Sequence, residues 1–318
     1  MKTNRISLFL LLFATTIIFY TSCKKDDNKE DQTKETSVDQ GLVLAERTFN
    51  DIGNFTTSAL TAGKGKLKSG ETTLQTGTGC LTITFDLTSS PYKMVLDFGS
   101  TNCLCEDGLY RRGKILVSYT ATYGDSLASL NTTLENFFVN DNQITGTRIL
   151  TYKGHNQAGH ANWDVTVDGS IVLASGEGTI TYQASHNSEL IEGELTPAHS
   201  DNVFSITGSA NGTAITGQAF SSLITTPLIS KMTCGYFVSG VVEITPAAQP
   251  MRILNYGTGE CDNKATVTVS GITFEITLPS DFLNKNGKRA GQQCSAFFYT
   301  LIFSAAFTIP SASIPHSW

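Results

Sequence analysis

Seven cysteines, five histidines and a scatter of carboxylates are the groups in this 318-residue chain that could do chemistry. Cys80, Cys103, Cys105, Cys234, Cys261 and Cys294 offer thiols for disulfides or a metal, and Cys23 stands apart behind an apolar run. "CLC" at 103–105 puts two thiols on one face of a strand. Thiolate zinc sites use paired C-x-x-C spacing, which is missing, so disulfides are the stronger expectation. "GHNQAGH" supplies His155 and His160, with His186 and His199 farther on. Two histidines five apart in a glycine-rich loop fit no ligand pattern, and no G-x-S-x-G nucleophile elbow accompanies them. They read as exposed loop residues. Asp86, Asp97, Glu135, Asp164, Asp168, Glu192 and Glu194 are spread along the chain. A glycosidase needs two carboxyls about 5–9.5 Å apart across a cleft, and spacing in sequence does not show that. Tyr110, Tyr119, Tyr123, Phe137, Phe138 and Trp163 could form a sugar platform, but as alternating strand residues they read better as core. The expectation is a protein with no catalytic residue, metal site or cofactor.

The N-terminus carries Lys2 and Arg5, an apolar stretch Ile6–Tyr20, then Thr21, Ser22 and Cys23. This is the layout of a secretory signal. Fifteen residues at about 1.5 Å each reach roughly 22 Å, short of the about 30 Å of bilayer hydrocarbon. The approach to Cys23 through small residues resembles the lipobox of bacterial lipoproteins. That resemblance implies removal of residues 1–22 and lipidation of Cys23, where several acyl chains hold durably and one alone is reversible. Behind it "KKDDNKEDQTKET", Lys24–Thr36, has no apolar residue, so residues 23–37 read as a flexible tether roughly 20 Å end to end. Lys25, Asp26 and Asp27 resemble the surface-export signal of Bacteroidota lipoproteins. The expected location is therefore the outer membrane, lipid-anchored and facing outward. Loss of Lys2 and Arg5 makes the net charge of −6 more negative still. Without a basic patch a nucleic-acid partner is excluded from the expectations.

Elements must position these groups. "VDQGLVLAERTFNDI" places Leu42, Ala45, Phe49 and Ile52 at helical spacing, so one short helix is expected over Val38–Ile52, ending at Gly53. The Thr- and Gly-rich remainder to residue 79 reads as loop. From Cys80 to residue 279 short alternating runs such as "LTITFDL", "KILVSYTATY" and "GTITYQAS" follow one another without a helical interruption. The fold class expected is all-β, an antiparallel meander or sandwich of consecutive hairpins, and a βαβ enzyme scaffold is disfavoured. Hairpin turns are expected at 139–143 ("VNDNQ") and 209–213 ("SANGT"). Residues 280–318 form an atypical apolar tail.

An internal echo organises the β region. "PYKMVLDFGSTNC", Pro91–Cys103, returns as "PMRILNYGTGEC", Pro250–Cys261, and each copy has an earlier cysteine, Cys80 or Cys234, before its first strand. Two similar units, 80–123 and 234–278, bracket the central hairpins. The echo pairs Cys234 with Cys261, and Cys80 with Cys103 or Cys105; the thiol left over is free or joined to Cys294. An oxidising compartment favours such bridges, each worth on the order of 3 kcal/mol for loops of about 25 residues. The segments "DFGSTNCLCEDGLYRRGKILVSYTATY", "NFFVNDNQITGTRILTY" and "SGVVEITPAAQPMRILNYGTGECDNKATVTVSG" resemble a group of uncharacterised Bacteroidota lipoproteins over roughly residues 38–278. The resemblance implies lipid anchoring and brings no activity with it. The function expected is that of a lipid-anchored envelope or surface protein with a structural or binding role. Its partners would be the membrane, through Cys23, and a glycan or envelope protein. The alternative is a surface carbohydrate-active or other hydrolytic enzyme.

Overall fold

A computed structural model describes residues 27–68, 72–75, 79–88, 90–105, 107–120, 129–196 and 199–278, with helix side chains from residue 38 to 63. The signal segment 1–22, Cys23, Tyr123, Cys294 and the tail 280–318 lie outside the described residues. The chain divides into two units, Met1–Thr36 and Ser37–Trp318, and the architecture below is that of the second.

The alternating runs become strands of one antiparallel sheet. They are β1 (Thr73–Gln75), β2 (Thr82–Asp86), β3 (Tyr92–Asp97), β4 (Cys103–Leu104), β5 (Tyr110–Tyr119), β6 (Leu130–Val139), β7 (Asn142–His155) and β8 (Ala161–Val172). They continue as β9 (Thr179–Glu192), β10 (Val203–Thr213), β11 (Ala219–Lys231), β12 (Phe237–Pro246), β13 (Arg252–Thr258), β14 (Lys264–Val269) and β15 (Ile272–Thr277). Each strand pairs with the next in sequence, except that β4 pairs only with β5, which lies beside β3. The all-β antiparallel class is therefore what the structure shows, as one continuous 15-stranded meander.

Period-two patterning splits this sheet into two faces. On β8 and β9 the inward set is Ala161, Val165, Val167 and Ile171, then Ile180, Tyr182, Ala184 and Leu190, all buried. The outward set is polar: Thr145 meets Ser170, Thr181 meets Thr213 and Thr268 meets Thr273, each at 2.8 Å between hydroxyls. Among the described residues no helix is long and apolar enough to cross a membrane.

The inward face of the sheet covers residues 38–63 of a helix, α1, Asp27–Lys68. Between residues 38 and 63 only Gln40 is exposed, so the helix is surrounded rather than laid on a surface. Phe49 stacks on Tyr182 of β9 with ring centroids 5.9 Å apart. Phe55 meets Phe98 edge-on at 6.1 Å. Glu46 accepts a 3.2 Å hydrogen bond from the Tyr256 hydroxyl of β13. A helix buried on all sides needs apolar or satisfied residues all round, and Leu42, Val43, Leu44 and Ala45 supply a full turn of them.

This helix corrects the expectation of a short element stopping at Gly53. It runs on through Gly53 and Gly63, where a Cβ would lie 2.5 Å from Arg148 Cζ and 2.3 Å from Phe85 Cζ. Those glycines are notches for packing, and tertiary contacts outweigh the roughly 1 kcal/mol helical cost of each. The threonines that read as loop instead bond backward along the helix: Thr56 and Thr57 to Gly53 O and Thr61 to Thr57 O. The expected loop over 54–79 is thus helical to Lys68. The expected flexible tether 23–37 is likewise helical from Asp27, its Lys, Glu and Gln being ordinary helix formers.

Of the two expected turns, 139–143 forms as read, with Asn140 and Asp141 at φ 46° and 67°. The other does not. Asn211 and Gly212 lie inside β10, paired with Gln183 and Tyr182 of β9. Gly212 is needed there because a Cβ would sit 2.0 Å from Thr181 O. The reversal comes later, where Gly217 N–H donates to Ala214 O.

The echoed units lie toward the two ends of the meander. In each, a side-chain oxygen accepts from the backbone N–H two residues on: Asp97 from Gly99 N just after β3 and Asn255 from Gly257 N within β13, both at 2.8 Å. Disulfides join Cys80 to Cys103 and Cys234 to Cys261. Cys105 is the leftover thiol, buried and outside any disulfide.

Candidate functional site

The inward faces of β7 to β11 do not close fully on the middle of α1. A cleft of about 340 Å³ remains between them, within the range of small-molecule sites. Helix residues Asn50, Asn54, Thr57, Ser58 and Thr61 make one wall. Leu150, Tyr152, Trp163, Leu190, Phe204 and Ile206 make the other. Sheet register creates that wall, since Tyr152 lies directly opposite Trp163, Trp163 opposite Ser188, and Ser188 opposite Ile206. The rings of Tyr152 and Trp163 are 5.5 Å apart and those of Trp163 and Phe204 6.3 Å, forming a continuous aromatic row.

Polar groups tie the mouth together. His155 Nδ1 lies 3.2 Å from the Tyr152 hydroxyl and its Nε2 2.6 Å from Glu194 Oε1. One tautomer satisfies both: Nε2–H donates to Glu194 and Nδ1 accepts the tyrosine proton. His160 Nδ1 and Asn156 Nδ2 each lie 2.6 Å from Glu189 Oε1. The hydrogen bond from Asn156, followed by that from His160, holds the Glu189 carboxyl below the usual range. These bonds fasten the β7–β8 hairpin to the end of β9 and the loop after it. The Tyr152–His155–Glu194 chain has the order of a proton relay, but the His155 side chain is 53% exposed and water competes for each bond.

The floor differs from the mouth. Arg148 enters from β7, is buried, and has its Nη1 enclosed without a hydrogen-bond partner among the described residues. Burial pushes its guanidinium down to about 10. Below it a chamber of about 50 Å³ is lined by Glu46, Phe49, Tyr182 and His186, and shares Asn50, Arg148, Ser188 and Ile206 with the outer cleft. Burial, then the charge of Arg148, pushes the His186 imidazole down to about 4, so it is neutral at pH 7. Its Nε2 is also buried without a partner. Among the described residues the other two buried arginines each face an acid: Arg111 meets Asp107 at 2.5 Å and Arg252 meets Asp39 at 3.6 Å.

The residues singled out from sequence scatter around this site. Of the acids considered, Glu194 lines the cleft, whereas Asp86 and Asp97 cap turns and Asp164 bonds Asn187 and Lys153 on the outer face. Of the aromatics, Trp163 lines the cleft, Tyr119 and Phe137 are core, and Phe138 lies under Arg112 with 3.8 Å from Cζ to the ring centroid. His155 and His160 are hairpin residues as read, but each is held by a glutamate. Arg148, Tyr152, Phe204 and the inward role of His186 were not anticipated. One signal for Arg148 was present: in "QITGTRILTY" it shares the inward phase of Ile144 and Leu150. Comparison with known protein families, curated proteins and solved structures returns no match.

Proposed function

We propose that this protein is a small-molecule-binding lipoprotein of the cell envelope, held in the outer membrane by acyl chains on Cys23 and displayed outward. The observation that carries the binding role is the cleft between α1 and β7–β11. It combines room, an aromatic wall and inward polar groups on rigid elements, as binding sites do. Binding is preferred over hydrolysis because, among the described residues, Glu194 is the one acid lining the cleft, and paired-carboxylate glycosidases need two.

Ligand entry stabilises the fold by mass action, by about 2.7 kcal/mol at a concentration of 100 Kd. A panel of neutral, cationic and anionic apolar compounds, read by thermal melting of the full chain, is expected to contain a class that raises the midpoint by several degrees. A flat response across all classes contradicts the binding role. Anchoring is tested separately by palmitate labelling. Wild type incorporates label and partitions with membrane, and Cys23→Ala does neither; a labelled, membrane-bound Cys23→Ala protein contradicts the anchor.

A further inference from the structure

We propose that the ligand of the cleft is an organic monoanion, a carboxylate on an apolar body, with its anionic group seated between Arg148 and His186 at the floor. This rests on the binding role proposed above and specifies its ligand.

An unpaired guanidinium is expensive to bury, and a neutralising partner is the usual remedy. Arg111 and Arg252 have theirs within the protein. Among the described residues no acid stands within ion-pair reach of Arg148, whose relative exposure is 9%. The position is built for the guanidinium nonetheless. Gly53 leaves the space it occupies against the helix, since a Cβ there would lie 2.5 Å from Cζ. Gly208, opposite His186 in the ladder, also admits no Cβ, which would lie 2.2 Å from Ser185 O and 3.0 Å from the imidazole Cδ2. Two enclosed nitrogens, Arg148 Nη1 and, in the tautomer that carries its proton there, His186 Nε2, therefore lack an acceptor beside adjacent cavities that share four lining residues.

The form of that acceptor follows from the surroundings. A planar guanidinium fork matches a carboxylate, and a neutral imidazole N–H adds a donor. One positive charge at the floor, with the Glu194 carboxylate on the cleft and the Glu46 carboxyl on the chamber beneath, favours a single negative charge over a phosphate dianion. Leu150, Trp163, Leu190 and Phe204 then enclose the apolar body between floor and mouth.

The test is calorimetric titration of the full chain with 2-naphthoate and with its neutral counterpart 2-naphthamide. Wild type is expected to bind naphthoate about tenfold or more tightly than the amide, the value of a charge-assisted hydrogen bond. Arg148→Met should erase the preference while the melting temperature of the unliganded protein stays level or rises, because an uncompensated buried charge has been removed. Gly53→Ala keeps the charge but displaces the guanidinium, and should also reduce the preference. Equal binding of both probes by wild type overturns the anion assignment and leaves the cleft as a binding site. Naphthoate preference that survives Arg148→Met also overturns it. Binding of neither probe also overturns the anion assignment, while the binding role is decided by the response to the wider compound panel.

Discussion

Replacing Asp107 by alanine is expected to destabilise the fold by about 3–5 kcal/mol, the cost of stripping one partner from a buried ion pair. Asp107 and Arg111 have side-chain exposures of 9% and 3%. Their contact is two-pronged, with Nη1 to Oδ1 at 2.8 Å and Nη2 to Oδ2 at 2.5 Å. Burial draws the guanidinium pKa down, and Asp107 followed by Cys105 more than reverses this, so the net shift is upward. The same guanidinium lies 4.7 Å over the Phe55 ring on α1, joining β5 to the helix. Asp107→Ala leaves this charge enclosed. The double variant Asp107→Ala/Arg111→Met should recover most of the loss, because both charges are then gone and the methionine still packs on Phe55. Urea unfolding of wild type, single and double variants measures both numbers. A single variant within 1 kcal/mol of wild type by that measure contradicts the account of this pair.

Glu46→Gln is expected to remove a pH dependence worth roughly 3 kcal/mol. Burial raises the Glu46 carboxyl from 4.5 to about 7, with the Tyr256 hydrogen bond opposing, and each pH unit of such a rise is worth about 1.4 kcal/mol. The sign follows from proton binding. Between 4.5 and 7 the folded state holds the Glu46 proton and the unfolded chain has lost it, so this contribution is complete below 4.5 and vanishes as pH rises through 7. Glutamine keeps an acceptor for Tyr256 and cannot ionise. Tyr182 and Tyr256 face Glu46, and burial followed by its charge holds both their hydroxyl pKa values well above normal. His186 runs the opposite way, since its depressed pKa gives a contribution present above 6.5 and lost as pH falls through about 4. The informative quantity is therefore the difference between wild type and Glu46→Gln, which cancels His186. It should be near zero at pH 4.5 and should favour the variant by about 3 kcal/mol at pH 8.

The strands were readable because a half-buried sheet writes its two faces as alternation, and the matching Asp97–Gly99 and Asn255–Gly257 pairs made the echoed units visible as text. The Cys234–Cys261 bridge followed from that echo, while the partner of Cys80 stayed open because Cys103 and Cys105 share a strand face. The helix was misjudged for a physical reason. Gly53, Gly63 and Thr56–Thr61 carry the local signature of a loop, and only the surrounding sheet makes the glycines useful and the threonines satisfied. Asn211-Gly212 misled in the same way, as cross-strand crowding rather than a turn required the glycine. The site was least legible. Its wall is assembled from register across five strands, and no short segment contains more than a few of its residues. Arg148 was the exception, a lone cation in the inward phase of an apolar strand.

The central claim, that the space between α1 and β7–β11 is a ligand site, is tested most directly by filling it. Thr57 sits on the helix wall of the cleft, where an indole would project into the space. Thermal melting of full-length wild type and Thr57→Trp, each with and without the compounds that stabilise wild type, gives the answer. The account predicts an upward shift of several degrees for wild type and none for a folded Thr57→Trp. An equal shift in both proteins places the binding elsewhere and contradicts the claim.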